Sequence, residues 1–320
     1  MRKWAPLILF VVTQWTICRS QTEQLPKVSH LLKAASKGDV DAQYTLGRAY
    51  EFGRGVAQDF VAAARWYQKA GDAGNPGAQA HLGSLYAQGS GVARDEAVAL
   101  KWYVRAAAAG DSQAQTNLGC MYFNGEGGVP RDYSEAARWF TKAAALHNPF
   151  AEANLATLYL EGRGLPRDPD KAASLYLEAA TQGSLYSQVR LAWMYEHGIG
   201  RPRDFAEALK WERAAAQSGY PMALNNLGYL YEHGLGVVRD FAEAARLYCK
   251  AASSKLPEGQ RNWATVRAGI SDLPEDCAEA ARWLAKAAPQ GLASVTGSVE
   301  AAAEAPAGSI VPGAFVSETH

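Results

Sequence analysis

AQYTLGRAYEFGRGVAQDFVAAARWYQKAGDAG, residues 42–74, is the stretch that decides the fold. Its fixed points are Ala42, Leu46-Gly47, Tyr50, Gly53-x-Gly55-Val56, Asp59, Ala63, Trp66-Tyr67, Ala70 and Gly74. They recur along the chain. The leucine returns as Leu82, Leu118, Leu155, Leu191 and Leu227, with Trp263 in a seventh slot, in steps of 36, 36, 37, 36, 36 and 36 residues. A fixed period of this size is the mark of a helical solenoid. The one longer step falls at Gly125-Glu126-Gly127-Gly128, where an extra residue lengthens a surface loop without disturbing packing.

Each unit reads as two helices. Ala42, Leu46, Gly47 and Tyr50 share one face of a 3.6-residue helix, and so do Ala63, Trp66, Tyr67 and Ala70. Each second helix thus sets one large residue among alanines, which lets helices approach closely. Gly53 and Gly55, and their counterparts from Gly89 to Gly236, can end the first helix and turn the chain. Asp59, Asp95, Asp132, Asp168, Asp204, Asp240 and Asp276 then stand where a side chain caps the second helix. In four units a glutamate follows three residues later (Glu135, Glu207, Glu243, Glu279), the spacing of a capping box.

The pattern Ala-x-x-x-Leu-Gly-x-x-Tyr, Gly-x-Gly-Val, Asp, Ala-x-x-Trp-Tyr-x-x-Ala-Ala resembles the Sel-1-like repeat (SLR) family, a relative of the tetratricopeptide repeat with a longer inter-helix loop. The resemblance covers residues 29–290 in six good copies and a worn seventh, which has Trp263-Ala264 for Leu-Gly, Arg267 for Tyr and no Gly-x-Gly. It implies an all-α fold, a right-handed α/α superhelical solenoid of about seven helix-turn-helix repeats, used to bind proteins and assemble complexes. Residues 29–37 read as half a repeat that caps the first unit.

By the same resemblance, first helices line a concave wall, and positions two before, two after and five to six after the leucine face it. These are Tyr44, Arg48, Glu51 and Phe52; Phe123 and Asn124; Leu160 and Glu161; Trp193, Glu196 and His197; and Asn225, Tyr229, Glu232 and His233. The implied partner is a protein or peptide in the groove. Trp193 and Tyr229 are the foremost candidates, because other units carry Arg, Ser, Cys or Thr at that position and exposed aromatics anchor interfaces. The alternative is that both pack inward on a neighbouring helix. Glu196-His197 and Glu232-His233 raise the question of a metal, but histidines at helix C-termini beside the last carbonyls explain them, and no metal or cofactor is expected. Asn117, Asn154 and Asn226, each before its leucine, read as structural.

Outside the repeats, residues 1–20 have the layout of a cleaved secretory signal: Arg2 and Lys3, an uncharged apolar run, then Cys18-Arg19-Ser20. The run is short for a membrane span, so the alternative of an uncleaved anchor ranks second and a lipoprotein third. Residues 21–28 form a polar linker, and residues 291–320 a tail too poor in apolar groups to order alone, or one that folds on a partner. The chain has 32 basic and 32 acidic residues; without Arg2, Lys3 and Arg19 the balance is 29 to 32. No polyanion-binding surface follows, and no nucleic-acid partner or membrane span is expected in the mature chain. The reading is therefore an exported, periplasmic or secreted adaptor.

Four cysteines bear on chemistry. With Cys18 removed, an odd number remains. On a 36-residue register Cys249 faces Ala285, eight residues past Cys277 and about 12 Å along the helix axis. Three unpaired thiols are expected from that offset. A cysteine-rich branch of the family is linked to β-lactam binding or hydrolysis, and its cysteine pair per repeat is absent here. The sequence has no Ser-x-x-Lys, His-Glu-x-x-His, Cys-x-x-Cys or Gly-x-Ser-x-Gly to carry catalysis, so no enzyme is expected. The rival functions are a β-lactam or cell-wall hydrolase and a glycan-binding module.

Overall fold

The computed structural model describes residues 28–268 and Cys277. The expected signal over 1–20, all but the last residue of the linker, the tail, and the second helix of the seventh unit apart from Cys277 lie outside the described residues. Within them are fourteen helices and no strand. The fold is an all-α solenoid of consecutive helix pairs.

The chain divides into two bodies between Ala143 and Ala144. In the first, α1 (Val28–Ser36) precedes the pairs α2 (Val40–Phe52) with α3 (Phe60–Asp72), α4 (Pro76–Gln88) with α5 (Glu96–Ala108), and α6 (Ser112–Asn124) with α7 (Tyr133–Ala144). The second holds α8 (Pro149–Glu161) with α9 (Pro169–Thr181), α10 (Leu185–His197) with α11 (Phe205–Gln217), α12 (Pro221–His233) with α13 (Phe241–Ser253), and then α14 (Pro257–Ala268). Along α1–α6 and along α8–α14, each helix packs on the next in sequence.

The helix ends form as the punctuation demands. Gly53 closes α2 in the left-handed region (φ 66°) and returns its amide to the Ala49 carbonyl. Asp59 caps α3, its carboxylate accepting from the Ala62 amide at 2.9 Å. The capping box, in contrast, does not close as expected. The amide of each capping aspartate is already taken by the carbonyl of the repeat's tyrosine, as in Asp59 to Tyr50, Asp204 to Tyr195 and Asp240 to Tyr231, all at 2.9 Å. Glu135, Glu207 and Glu243 turn outward instead and pair with Arg138, Lys210 and Arg246.

The core is a row of small clusters, each shared by a helix pair and the next first helix. Ala63, Tyr67, Ala70, Ala78, Leu82 and Leu85 make one in the first body. Ala172, Tyr176, Ala179, Leu191 and Met194 make the matching one in the second. The Leu-Gly step serves this packing: a Cβ on Gly47 would lie 2.6 Å from the Tyr67 ring, and one on Gly228 would lie 2.8 Å from Tyr248. A side chain there would force the tyrosine out of its seat. Buried glutamines tie successive pairs together. Gln43, Gln79, Gln115 and Gln188 each donate to a backbone carbonyl of the preceding second helix, at 2.8–3.2 Å.

One expectation is overturned. Cys249 and Cys277 form a disulfide, with Cα atoms 5.6 Å apart. The 36-residue register was carried into a seventh unit that lacks the glycines and tyrosine which enforce it. Cys277 meets Cys249 directly. Cys120 is half-buried and remains a thiol.

Candidate functional site: the first-helix face

The site is built around one slot in each second helix, which holds a tyrosine in repeats one, two, four and six. Buried among alanines, the ring points its hydroxyl to the first helix of the same repeat. Tyr67 donates to Glu51, Tyr103 to Ser84 at 3.1 Å, and Tyr248 to Glu232 at 2.7 Å. Tyr176 shares a 2.8 Å hydrogen bond with Thr157. Burial, reinforced by the neighbouring glutamate, pushes the Tyr67 and Tyr248 hydroxyls far above the ordinary tyrosine range. They stay protonated donors.

In the first body, Tyr44, Arg48, Glu51 and Phe52 come together with His81 from the next first helix. All are half-buried. His81 stacks on Tyr67 at 5.0 Å and places Nδ1 2.9 Å from Glu51. Tyr44 lies 5.8 Å and Phe52 6.2 Å from the same imidazole. Further along, Asn124 is exposed, but Phe123 is only 9% exposed and packs on Tyr133. Phe123 sits in the core rather than on the wall.

In the second body the candidates form two similar sets. Trp193 and Tyr229 are half-buried, and each is braced by the histidine four residues on. Ring centroids are 4.9 Å apart for Trp193–His197 and 4.2 Å for Tyr229–His233. Each histidine places Nδ1 against the backbone carbonyl of that aromatic residue, at 2.9 and 3.0 Å, the helix C-terminal role read from the sequence. The Arg190 guanidinium lies over Trp193 at 5.0 Å. The Trp193 indole packs against the α9–α10 core and is part-exposed. Asn225 is 9% exposed and accepts from Asn262 at 2.8 Å, so it joins helices rather than lining the wall.

Sequence reasoning missed the residue that breaks the pattern. The tyrosine slot of the fifth repeat holds Glu212. It is 3% exposed. One carboxyl oxygen accepts from Asn226 at 2.9 Å, and the other, Oε2, has no hydrogen-bond partner. The residue opposite, where Glu51 and Glu232 receive a tyrosine hydroxyl, is Glu196. Two carboxyl groups therefore occupy a place built for a tyrosine–glutamate pair. Burial pushes both upward. For Glu212 the nearby Glu196 adds to the shift; for Glu196, His197, Arg203 and His233 oppose it. The signal was readable, as Trp66-Tyr67, Trp102-Tyr103 and Trp139-Phe140 become Trp211-Glu212.

A second concavity, of about 670 Å³, lies in the first body between α3 and α4, with Val61, Trp66, Leu82 and Tyr86 on its walls and Arg65 and Lys69 beside them. It brings together no paired nucleophile and base. Among the described residues, no three His, Cys, Asp or Glu converge as a metal site, and no helix is long and apolar enough to cross a membrane.

The comparisons agree with this geometry. The Sel1 repeat model matches residues 40–75, 76–111, 112–148, 149–184, 185–220, 221–255 and 257–292. Among solved structures, a protective antigen of uropathogenic Escherichia coli strains displaying an SLR fold is similar at 35% identity and a TM-score of 0.65, over 82% of this chain and 56% of that one. This chain thus spans little more than half of that antigen. A Sel1 repeat protein from Oxalobacter formigenes is similar at 28% identity and a TM-score of 0.65, over 76% of this chain and 95% of that one. Among curated proteins there is no match. With seven repeats matched over residues 40–292, the chain belongs to the Sel1 repeat family.

Proposed function

We propose that this chain is an exported adaptor that holds a protein or peptide partner on its first-helix face, and so assembles or regulates an envelope or secretory complex. The Sel1 repeat is a scaffold typical of protein–protein interaction. The observation that carries the reading is the pair Trp193 and Tyr229, one repeat apart, each part-exposed and held in place by a histidine. Rigid, half-exposed aromatics lose little entropy on binding and are common interface anchors. Glu196, His197, Glu232 and His233 supply polar groups around them, and Tyr44, Arg48, Phe52 and Asn124 offer a comparable face in the first body. Phe123 and Asn225 act from behind that surface. The Cys249–Cys277 disulfide supports export, since such bonds persist in oxidising compartments, as does the signal-like layout of residues 1–20.

The test is capture of the partner from the exported fraction. Wild-type chain should recover a partner that the double variant Trp193→Ala, Tyr229→Ala loses by at least tenfold. Equal recovery by a folded double variant would remove the face from the interface.

A further inference from the structure

The fifth repeat carries a buried polar group that the fold does not use. In repeats one and six the slot between second and first helix is closed by a tyrosine donating to a glutamate. Glutamate is shorter than tyrosine, so Glu212 ends before the point a hydroxyl would reach, and Glu196 on α10 is left without that donor. Nothing in the packing demands the change. Repeat four keeps Tyr176 although it also has alanine, Ala156, in place of the glycine beneath the ring. A buried carboxyl oxygen with no partner is unfavourable, so its retention calls for a guest that donates.

We propose that Glu212 and Glu196 form a subsite for a cationic side chain, the ammonium of a lysine or the guanidinium of an arginine, presented by the peptide partner. The inference rests on the groove reading above and names the chemistry of one of its contacts. The cation donates to Glu212 Oε2 and to the Glu196 carboxylate. Among the described residues no third ligand converges for a metal ion, so a guest bearing several hydrogen-bond donors suits the pair better than a bare ion.

Like-charged carboxyls in one slot do not both ionise readily, and the pair holds a proton while empty. Entry of the cation expels that proton to solvent, so charge balances: one positive charge enters and one leaves. The groups facing the pair are His197 on α10, Arg203 from the loop before α11, Tyr220 from the loop before α12, and His233 and Asn226 on α12. Affinity should therefore rise with pH, by up to about tenfold per pH unit while the pair holds its proton. In Glu212→Gln the Glu196 carboxyl, itself raised by burial, still titrates, so the pH dependence should weaken in that variant.

Calorimetry on the full chain tests this with an acetylated, amidated Gly-Lys-Gly-Lys-Gly peptide and its glutamine counterpart, at pH 7 and pH 8. The lysine peptide should bind at least tenfold more tightly, release a proton on binding, and lose that advantage in both Glu212→Gln and Glu212→Tyr, each checked for native helicity. Equal binding of the two peptides, or an unchanged lysine preference in both variants, overturns the subsite. So does displacement of the peptide by millimolar magnesium, which would assign the slot to a metal ion. If partner capture depends on Trp193 and Tyr229 while the lysine peptide fails, the groove stands and the subsite falls. The reverse result keeps the subsite and moves the partner elsewhere.

Discussion

Residues 185–220 and 221–255 are neighbouring copies of one repeat, and they part company at a single slot. Each opens with a first helix ending in Glu-His and a left-handed glycine, Gly198 or Gly234. An aspartate, Asp204 or Asp240, then caps the second helix in each. The aromatic–histidine brace is in both. In the sixth repeat Tyr248 fills the slot and donates to Glu232; in the fifth, Glu212 takes the slot with one oxygen unpartnered, and Glu196 helps to raise its carboxyl. The frame is thus a property of backbone contacts, and the chemistry of the wall can change without it.

The most severe way to break the comparison is to attack the shared frame. The second glycine of each loop presses on the second helix of the preceding repeat: a Cβ on Gly200 would lie 2.1 Å from the Pro169 carbonyl oxygen, and one on Gly236 would lie 2.4 Å from that of Phe205. Both residues are left-handed. Gly200→Ala and Gly236→Ala should each destabilise by about 3–5 kcal/mol, the left-handed penalty and the overlap acting together. Denaturant unfolding checks this, and a large inequality between the two would mean that the repeats do not share a frame.

A smaller effect should separate the two repeats. The disulfide ties α13 of the sixth repeat to Cys277 across a separation of 28 residues, a closure worth about 3–4 kcal/mol in the loop-entropy model. Cys277→Ser should speed amide exchange in α12 and α13 while leaving α10 and α11 near their wild-type rates. Equal loosening of both repeats would count against a local staple.

The frame was legible in the sequence because it repeats. Leu, Gly-x-Gly, Asp and Trp-Tyr recur often enough that helix pairs, their ends and their small core residues could be read without coordinates. What could not be read was which partner each residue chose. The second glycine looked like a turn residue, although its tightest constraint is a backbone of the preceding repeat. Asp132, Asp204 and Asp240 looked like half of a capping box, but a distant tyrosine carbonyl takes their amides. Phe123 and Asn225 sit at groove-facing register yet turn into the core, because Tyr133 and Asn262 are there to receive them. The disulfide escaped because the register of the good repeats was extended into a seventh that lacks their Gly-x-Gly and tyrosine. Glu212 was visible but passed as a variant of an aromatic slot, since spacing alone does not say that a carboxyl there is buried.

The gentlest substitution is the most direct test: unfolding free energy against pH, wild type beside Glu212→Tyr, which turns the fifth repeat into the sixth. Burial holds the Glu212 carboxyl above its ordinary range in the folded chain, and unfolding returns it. The folded state keeps a proton that the unfolded state gives up. Its contribution is complete below the ordinary carboxylate range and is lost as pH rises through the raised value. Glu152, also buried and pushed upward, adds the same slope to both proteins and cancels. Glu212→Tyr should therefore gain on wild type as pH rises from acid through the raised value. Parallel curves across the whole range would contradict a buried carboxyl pair in the fifth repeat.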